Sequence, residues 1–344
     1  MSSLGEFDLI RQLFQRPQAV RRASLGIGDD CALLPIPAGE ELAISTDMLV
    51  AGRHFFDDVD PYTLGHKTLA VNLSDLAAMG AQPLSCTLAV ALPALDSAWL
   101  ERFTQGLWDI AGAHHCELIG GDTTRGPLTL NVTVLGSVPP ALALRRSAAQ
   151  VGDDIWVSHA GSAGGIGDAR LALQALLQQR GMPHTLPPSA DAALLLSAVR
   201  HRLELPQPRV ALGLALRGVA HAALDLSDGL AGDINHILQA SHVGATLFAD
   251  DGQQHGLLHA TSPTLRALGA DTALQFALEG GDDYELLFTA APTQRAQVAH
   301  IAHQVGLQLT RIGQIEATVG TRWRNLQGVI QPLHLRSFDH FATP

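Results

Sequence analysis

Lysine is almost absent from this sequence of 344 residues: 21 of the 22 Lys and Arg residues are arginine, and Lys67 is the single lysine. A phosphate-binding loop of the Gly-Lys-Ser/Thr type needs a glycine directly before its lysine, whereas Lys67 follows His66. The lysine-containing motifs of protein kinases are missing as well. These two classes of nucleotide-binding protein are therefore excluded.

The sequence is also poor in positive charge overall. Lys and Arg total 22 against 33 Asp and Glu, which gives a net charge of −11 at pH 7. A chain that covers nucleic acid needs an excess of basic residues to neutralise the phosphate backbone, so we expect no nucleic-acid partner. The composition is 47% hydrophobic and 16% charged, which argues against disorder.

Cysteines and long apolar runs are scarce too. The most apolar stretch, residues 84–95, contains a proline and two hydroxyl residues and is far shorter than the roughly 20 residues that a membrane helix requires. The first ten residues lack the basic and apolar regions of a signal peptide. The three cysteines form no paired metal motif and are expected to be reduced thiols, so we expect a cytoplasmic protein without a membrane partner.

Hydrophobic periodicity predicts an α/β protein of two domains. Helices are predicted over residues 7–14, 62–79, 97–115, 166–179, 190–203, 230–240 and 294–305. Strands are predicted over residues 31–34, 42–47, 85–92, 128–138, 155–158, 222–226, 245–249, 284–289 and 307–315, and surface loops over 178–190 and 250–259. The length exceeds one ordinary core, and Pro139-Pro140 with Arg145-Arg146 precede a boundary between domains of residues 1–147 and 148–344.

The acidic residues are mostly aspartate, 24 against 9 glutamates, although a helix-rich surface normally favours glutamate. They recur in short clusters beside glycine or hydroxyl residues. Any one cluster is explained as a turn or a helix cap. Magnesium, however, takes only one or two carboxylates and fills its shell with water and phosphate oxygens. Several ions on a nucleotide triphosphate would therefore need aspartates from different parts of the chain, and such carboxylates would repel one another without cations.

Other candidate residues leave two interpretations open. The guanidinium groups of Arg125, Arg145 and Arg146 suit phosphate oxygens, but each is equally well explained as a surface arginine. The glycine-rich run of residues 161–167 precedes a helix and could admit an anion. It lacks the G-x-G-x-x-G spacing, which favours a simple tight turn. Taken alone, His54 is best explained as a structural or surface histidine, and Phe338 as a residue of the core.

Six motifs taken together resemble the thiamine-monophosphate kinase family, within the aminoimidazole-ribonucleotide-synthetase-like group of ATP-using enzymes. The similarity runs in order from Gly5-Glu6-Phe7 to Asp339-His340-Phe341. The motifs are Gly26-Ile27-Gly28-Asp29-Asp30-Cys31-Ala32, Ser45-Thr46-Asp47, Asn72-Leu73-Ser74-Asp75-Leu76-Ala77-Ala78-Met79-Gly80, Gly120-Gly121-Asp122-Thr123-Thr124, Asp225-Leu226-Ser227-Asp228-Gly229 and Gly281-Asp282-Asp283-Tyr284-Glu285-Leu286.

The resemblance implies the two-domain fold of that group, of mixed α/β and α+β character. Its N-terminal domain would bind ATP and magnesium, and its mixed sheet would form a β-barrel with that of a second copy in a homodimer. Its C-terminal domain would be α/β. The implied reaction is direct transfer of the γ-phosphate of ATP to thiamine monophosphate, with Mg²⁺ as cofactor, giving thiamine diphosphate and ADP.

The resemblance also implies roles for individual residues. Magnesium would bind to Asp30, Ser45, Thr46, Asp47, Asp75, Asp122, Asp225 and Asp228. ATP would contact Gly121, Asp122, Arg146 and Ser227, and the thiamine substrate would contact His54, Asp282 and Phe338. At position 282 the family usually has Glu, so the carboxylate here is one methylene shorter.

The chemistry of this reaction agrees with the residues present. A phosphate acceptor is already ionised at neutral pH, so the transfer needs positioning and charge neutralisation rather than a general base. Two alternatives remain. One is another enzyme of the same group, such as those that use cysteine near a chain terminus, although the last cysteine here is Cys116. The other is a regulatory protein that binds magnesium and nucleotide without turnover.

Overall fold

The computed structural model describes residues 10–14, 21–253 and 255–333. The predicted substrate residue Phe338 lies outside this part of the chain. The chain divides into two compact units: the first holds the described residues up to Leu76 and Ala81–Ala143, and the second holds Ala77–Gly80 and the described residues from Leu144 onward. Among the described residues, no helix combines the length and the apolar character needed to cross a membrane.

The first unit is a four-stranded mixed sheet with two long helices. Its strands are β1 (Glu41–Val50), β2 (Gln82–Leu92), β3 (Glu117–Arg125) and β4 (Thr129–Val138), and its helices are α1 (Pro61–Ala78) and α2 (Ser97–Ala113). The strand order is β1-β4-β2-β3, with β2 and β3 parallel and the other neighbours antiparallel. Along β4, Leu130, Val132 and Val134 are buried and alternate with less buried residues, which gives the sheet one core face.

The second unit is built on a seven-stranded sheet in the order β11-β10-β7-β9-β5-β8-β6. Its strands are β5 (Asp154–His159), β6 (Ala222–Asp225), β7 (Gly244–Phe248), β8 (Leu286–Ala290), β9 (Gln308–Glu316), β10 (Gly320–Arg324) and β11 (Ile330–Pro332). Its helices are α3 (Asp168–Gln179), α4 (Ala192–Glu204), α5 (Val210–Ala215), α6 (Leu230–Ser241), α7 (Leu257–Ala260), α8 (Pro263–Arg266), α9 (Ala270–Glu279) and α10 (Arg295–Val305). Side chains from β5, β6, β7 and α6, such as Ile155, Leu224, Leu247 and Ile234, share one core.

Two secondary-structure predictions are wrong. The strand expected over residues 31–34 is a single bridge between Leu33 and Leu25, because Pro35 and Pro37 follow directly and cannot donate to a ladder. The surface loop expected over residues 250–259 runs into the short helix α7, whose Leu257 and Ala260 are fully buried. Strand β3 was not predicted, because its Gly120-Gly121 pair has low strand propensity.

The glycine-rich run after β5 is a tight turn whose amides bind the protein's own carboxylates. The N–H of Gly165 donates to Asp168 Oδ2 at 2.8 Å, and the N–H of Gly167 donates to Asp283 Oδ1 at 3.0 Å. Since these donors already have internal partners, the turn serves the fold of the second unit rather than an external anion.

The turn also holds a buried histidine in its neutral form. His159 is 4% exposed, its Nδ1 accepts the N–H of Gly161 at 3.1 Å, and its Nε2 lies 2.8 Å from Thr310 Oγ1. Burial lowers the pKa of His159 to about 4, and the nearby Arg202 and Arg209 add to this effect while Glu285 opposes it. A protonated ring would place a hydrogen on Nδ1 against the Gly161 N–H.

The neutral His159 predicts a loss of stability in mild acid. Its folded pKa of about 4 lies below the unfolded value of 6.5, so the contribution is complete above pH 6.5 and falls as the pH drops towards 4. Between pH 7 and pH 5 we expect this residue to cost about 2 kcal/mol of unfolding free energy.

Urea unfolding at both pH values, in the wild type and in His159→Gln, measures this contribution. The variant should lose less stability on acidification than the wild type. His303→Gln, at an exposed histidine of α10, is the control and should follow the wild type. An equal loss in His159→Gln and wild type would contradict the assignment.

Candidate functional site

A cavity of about 750 Å³ in the first unit brings two of the six motifs together. One wall is the segment of residues 26–32, which contains Asp30, and the other is formed by β2 and β3. Gly121 and Asp122 of β3 line the same space as Asp30. Leu88 and Leu118 add an apolar lining beside the exposed carboxylates of Asp29, Asp30 and Asp122. The cavity therefore joins charged oxygen donors to an apolar surface, as a nucleotide site requires.

Gly121 is required by the close approach of β3 to β2. A Cβ atom at this position would lie 1.9 Å from the carbonyl oxygen of Leu88, and the glycine has φ of +155°. Because the obstacle is backbone, no side-chain rotation can make room. The glycine thus lets β3 pair with β2 while Asp122 remains at the cavity.

A second group of predicted residues lies where β1 meets α1. Ser45 and Asp47 are two residues apart on β1 and therefore point to the same face of the sheet. Ser45 Oγ donates to Asp75 Oδ2 at 2.5 Å, and the Asp47 N–H donates to Asn72 Oδ1 at 3.0 Å. The structure therefore gathers three of the predicted metal residues, Ser45, Asp47 and Asp75.

The side chain of Thr46 lies on the other face of β1. Its Oγ1 donates to the Val132 carbonyl at 2.9 Å and accepts from Thr133 Oγ1 at 3.1 Å. A contribution of Thr46 to a metal site beside Ser45 and Asp47 would therefore come from its main-chain carbonyl. On the same outer face, Ile44 and Met48 are 62% and 53% exposed.

Asn72 opens one of the six motifs, but no role was predicted for it. It is 0% exposed, its Nδ2 donates to the Thr68 carbonyl at 3.0 Å, and its Oδ1 receives the Asp47 N–H. It ties β1 to α1 next to the carboxylates. The available signal was its position in the middle of an apolar helix, three residues before Asp75. Asparagine is a poor helix former, so its presence there indicates a specific hydrogen bond.

In the second unit, two motifs are neighbours. One continues from the end of β6, and the other leads into the start of β8. These strands are antiparallel, with Asp225 opposite Leu286. Beyond them, the N–H of Tyr284 donates to the Leu226 carbonyl and the N–H of Asp282 donates to the Ser227 carbonyl, both at 2.8 Å. Asp225, Ser227 and Asp228 are thereby grouped with Asp282.

The Asp282 loop has an unusual backbone. Asp282 and Tyr284 have φ of +64° and +49°, values that are uncommon for residues with a side chain. The Tyr284 hydroxyl donates to Asp282 Oδ1 at 3.1 Å, which supports this conformation. Such backbone conformations concentrate at ligand-binding segments.

Asp233, which sequence reasoning did not single out, binds the Ser227 loop. Its Oδ2 accepts the N–H groups of Ser227, Asp228 and Gly229 at 3.1, 3.1 and 3.2 Å. Burial and the neighbouring Asp228 raise the pKa of Asp233, the three N–H groups oppose the rise, and the net pKa is about 7. The signal in the sequence was an acid in the first turn of the helix that follows the motif.

His54 and Arg146 form hydrogen bonds with residues outside the predicted site. His54 Nδ1 accepts the N–H of Val50 at 3.0 Å and closes the turn after β1. Arg146 has an exposed side chain, and its carbonyl accepts the Ser241 hydroxyl at 2.7 Å. The predicted roles of both residues therefore stay predictions.

The donor atoms fit magnesium better than zinc. In the described part of the chain, no three or more His, Cys, Asp or Glu side chains form a metal-binding group. Zinc needs such a set, whereas magnesium is held by one or two carboxylates with water and phosphate. The carboxylate and hydroxyl oxygens of Ser45, Asp47 and Asp75 are donors of this hard type.

Comparison with known proteins identifies relatives over nearly the whole chain. Two family models match, AIR synthase related protein, N-terminal domain, over residues 28–138, and its C-terminal domain over residues 151–323. Thiamine-monophosphate kinase of Escherichia coli (strain K12) is 45% identical over 341 residues, which is 99% of each chain.

Solved structures agree in fold. Thiamine-monophosphate kinase from Stenotrophomonas maltophilia K279a has a TM-score of 0.79 and 48% identity, covering 93% of this chain and 96% of that chain. AaThiL complexed with AMPPCP and TMP has a TM-score of 0.73 and 27% identity, covering 98% and 97%. The expected two-domain fold of the aminoimidazole-ribonucleotide-synthetase-like group is confirmed.

The contact at Gly121 predicts that Gly121→Ala is strongly destabilising. The added methyl group must displace the β2 backbone, and we expect a loss of at least about 2 kcal/mol in unfolding free energy. Thermal or urea unfolding measures it. Gly112→Ala is the matched control in the same unit, since a Cβ atom there meets nothing within 4 Å, and it should be neutral or slightly stabilising. Similar stability of the two variants would contradict the assigned contact.

Proposed function

The chain belongs to the thiamine-monophosphate kinase family, and we propose that it transfers the γ-phosphate of ATP to thiamine monophosphate, giving thiamine diphosphate and ADP. The observation that carries this proposal is the similarity over 99% of the chain to a kinase of that name. A relative of the same fold bound to AMPPCP and TMP supports the pairing of a nucleotide with a second phosphate compound.

We propose that magnesium is held by the predicted residues Asp30, Ser45, Thr46, Asp47, Asp75, Asp122, Asp225 and Asp228. When bound, magnesium ions would neutralise charge on the phosphate oxygens and orient them for in-line transfer. The chain contributes the positions of the oxygen donors. Ser45 orients Asp75 through its hydroxyl, and Asn72 fixes the backbone at Asp47.

We propose that ATP contacts Gly121, Asp122, Arg146 and Ser227, and that thiamine monophosphate contacts His54, Asp282 and Phe338. The cavity of the first unit supports Gly121 and Asp122 of the first set, because both residues line it together with apolar side chains. The left-handed backbone of Asp282 supports the role of this residue in the second set, since such conformations concentrate at ligand-binding segments. Both sets act by positioning, because the acceptor phosphate is already ionised.

We also propose a homodimer in which a second copy covers β1. This strand lies at one edge of its sheet, and its outer face carries the exposed apolar residues Leu42, Ile44 and Met48. Exposed edge strands with an apolar face are normally covered by another chain or element.

We place the enzyme in the cytoplasm. Its cysteines are unpaired, with Cys31 exposed and Cys86 and Cys116 buried. Free thiols of this kind persist in reducing compartments.

The activity is tested by incubating the purified protein with ATP, Mg²⁺ and thiamine monophosphate. We expect ADP and thiamine diphosphate in equal amounts, measured by chromatography, and neither product without Mg²⁺. Thiamine, which has no phosphate acceptor, is the control and should give no ADP. Binding of magnesium ATP without ADP formation would instead favour a regulatory nucleotide-binding protein and contradict the proposed kinase.

Replacing Asp75 tests the proposed metal group. Asp75→Asn removes the charge and the strong acceptor of the Ser45 hydroxyl, and we expect kcat to fall about 100-fold, with a higher Mg²⁺ requirement. Asp109→Asn is the control, because Asp109 is exposed on α2 and bonds to Tyr62 and Gln105. It should keep wild-type kinetics, and thermal unfolding of both variants confirms their fold. Wild-type kinetics in Asp75→Asn would remove this residue from the site.

A further inference from the structure

Three consecutive backbone N–H groups converge on a single carboxylate oxygen at the start of α6. They belong to residues 227–229, and the acceptor is Oδ2 of Asp233, which is buried in the first turn of that helix. The Asp233 N–H itself donates to the Gly229 carbonyl at 2.9 Å. Loop and helix start are thus joined by main-chain and side-chain bonds in both directions.

Converging N–H groups of this kind normally form a site for an external anion, as in phosphate-binding loops. Here the protein's own carboxylate occupies the position. An ionised carboxylate accepts such bonds more strongly than a neutral oxygen acceptor does. Consequently the loop has no main-chain donors left at residues 227–229 for a phosphate, and its side chains are what it offers to a ligand.

The same loop is held from its other side by the neighbouring motif. The Ser227 carbonyl accepts the N–H of Asp282, and the Leu226 carbonyl accepts the N–H of Tyr284. Both the donor and the acceptor of the Ser227 main chain are therefore fixed, the donor by Asp233 and the acceptor by Asp282. In the part of the chain that the structure describes, Asp233 accepts the N–H groups of Ser227, Asp228 and Gly229 together.

We propose that Asp233 is a positioning residue that fixes the backbone of residues 227–229, so that the Ser227 hydroxyl and the Asp228 carboxylate meet magnesium ATP. This inference rests on the proposed function, because that proposal is what assigns the loop to magnesium ATP. Asp233 acts through the loop and does not touch the nucleotide.

The experiment compares Asp233→Asn with the wild type in two measurements. Hydrogen exchange reports the amides of residues 227–229, and calorimetry reports binding of the ATP analogue AMPPCP over a range of Mg²⁺ concentrations. A neutral amide oxygen accepts N–H bonds less strongly, so we expect exchange about 10-fold faster at this loop. The Mg²⁺ concentration that gives half-maximal AMPPCP binding should rise about fivefold.

Asp168→Asn is the matched control. Asp168 is also a buried carboxylate in the first turn of a helix, and it accepts the N–H of Gly165 and the hydroxyl of Ser262. Its replacement should lower thermal stability by a similar amount but leave loop exchange and the Mg²⁺ dependence of AMPPCP binding unchanged. A merely structural role of Asp233 would make the two variants alike.

Two results would overturn the proposal. One is unchanged exchange at residues 227–229 in Asp233→Asn, and the other is faster exchange with wild-type Mg²⁺ dependence. If Asp233→Asn does not fold, Asp233→Glu decides by the same readouts, since it keeps the charge on a longer stem and should show smaller shifts in the same direction. A wild type that binds AMPPCP but phosphorylates no thiamine monophosphate would refute the proposed function alone, and the loop would still be tested.

Discussion

Four buried carboxyl groups of the second unit are bound by two kinds of partner, and the kind of partner decides the direction in which the pKa of each group shifts. Backbone N–H groups bind Asp168, Asp233 and Asp283, and burial still raises the pKa of all three. Glu285 is equally buried, but Arg202 and Arg209 donate to it at 2.8 and 2.6 Å. Burial acts to raise the pKa of Glu285, and the two arginines more than offset that effect.

Asp168, Asp233, Asp283 and Glu285 hold turns and loops of the second unit through bonds within the protein. The aspartates that line the cavity of the first unit, Asp29, Asp30 and Asp122, are exposed and remain accessible to a cation. With a single lysine in 344 residues, lysine contributes almost no positive charge near them. Positive charge for a bound nucleotide must therefore come from arginines or from metal ions.

The sequence predicts those parts of the structure whose signal is local. Regular periodicity located α1, α2 and β4 to within a few residues, and glycine-aspartate motifs identified the segments around the cavity. Strand β3 was missed because its glycines are tolerated only through contact with β2, a tertiary fact. No role was predicted for Asn72 for the same reason, since its partner Asp47 lies on another element. Asp233 bonds to a loop only four to six residues earlier, so its signal was local and was overlooked.

Strand β1 carries two surfaces on one backbone. Ser45 and Asp47 face α1, while Leu42, Ile44 and Met48 face outward, and the two sets alternate along ten residues. Insertion or deletion of a single residue would exchange the faces and place apolar side chains against Asp75. A change of two residues would preserve the alternation. The length of this strand can therefore vary during evolution only by even steps, and both surfaces must be inherited together.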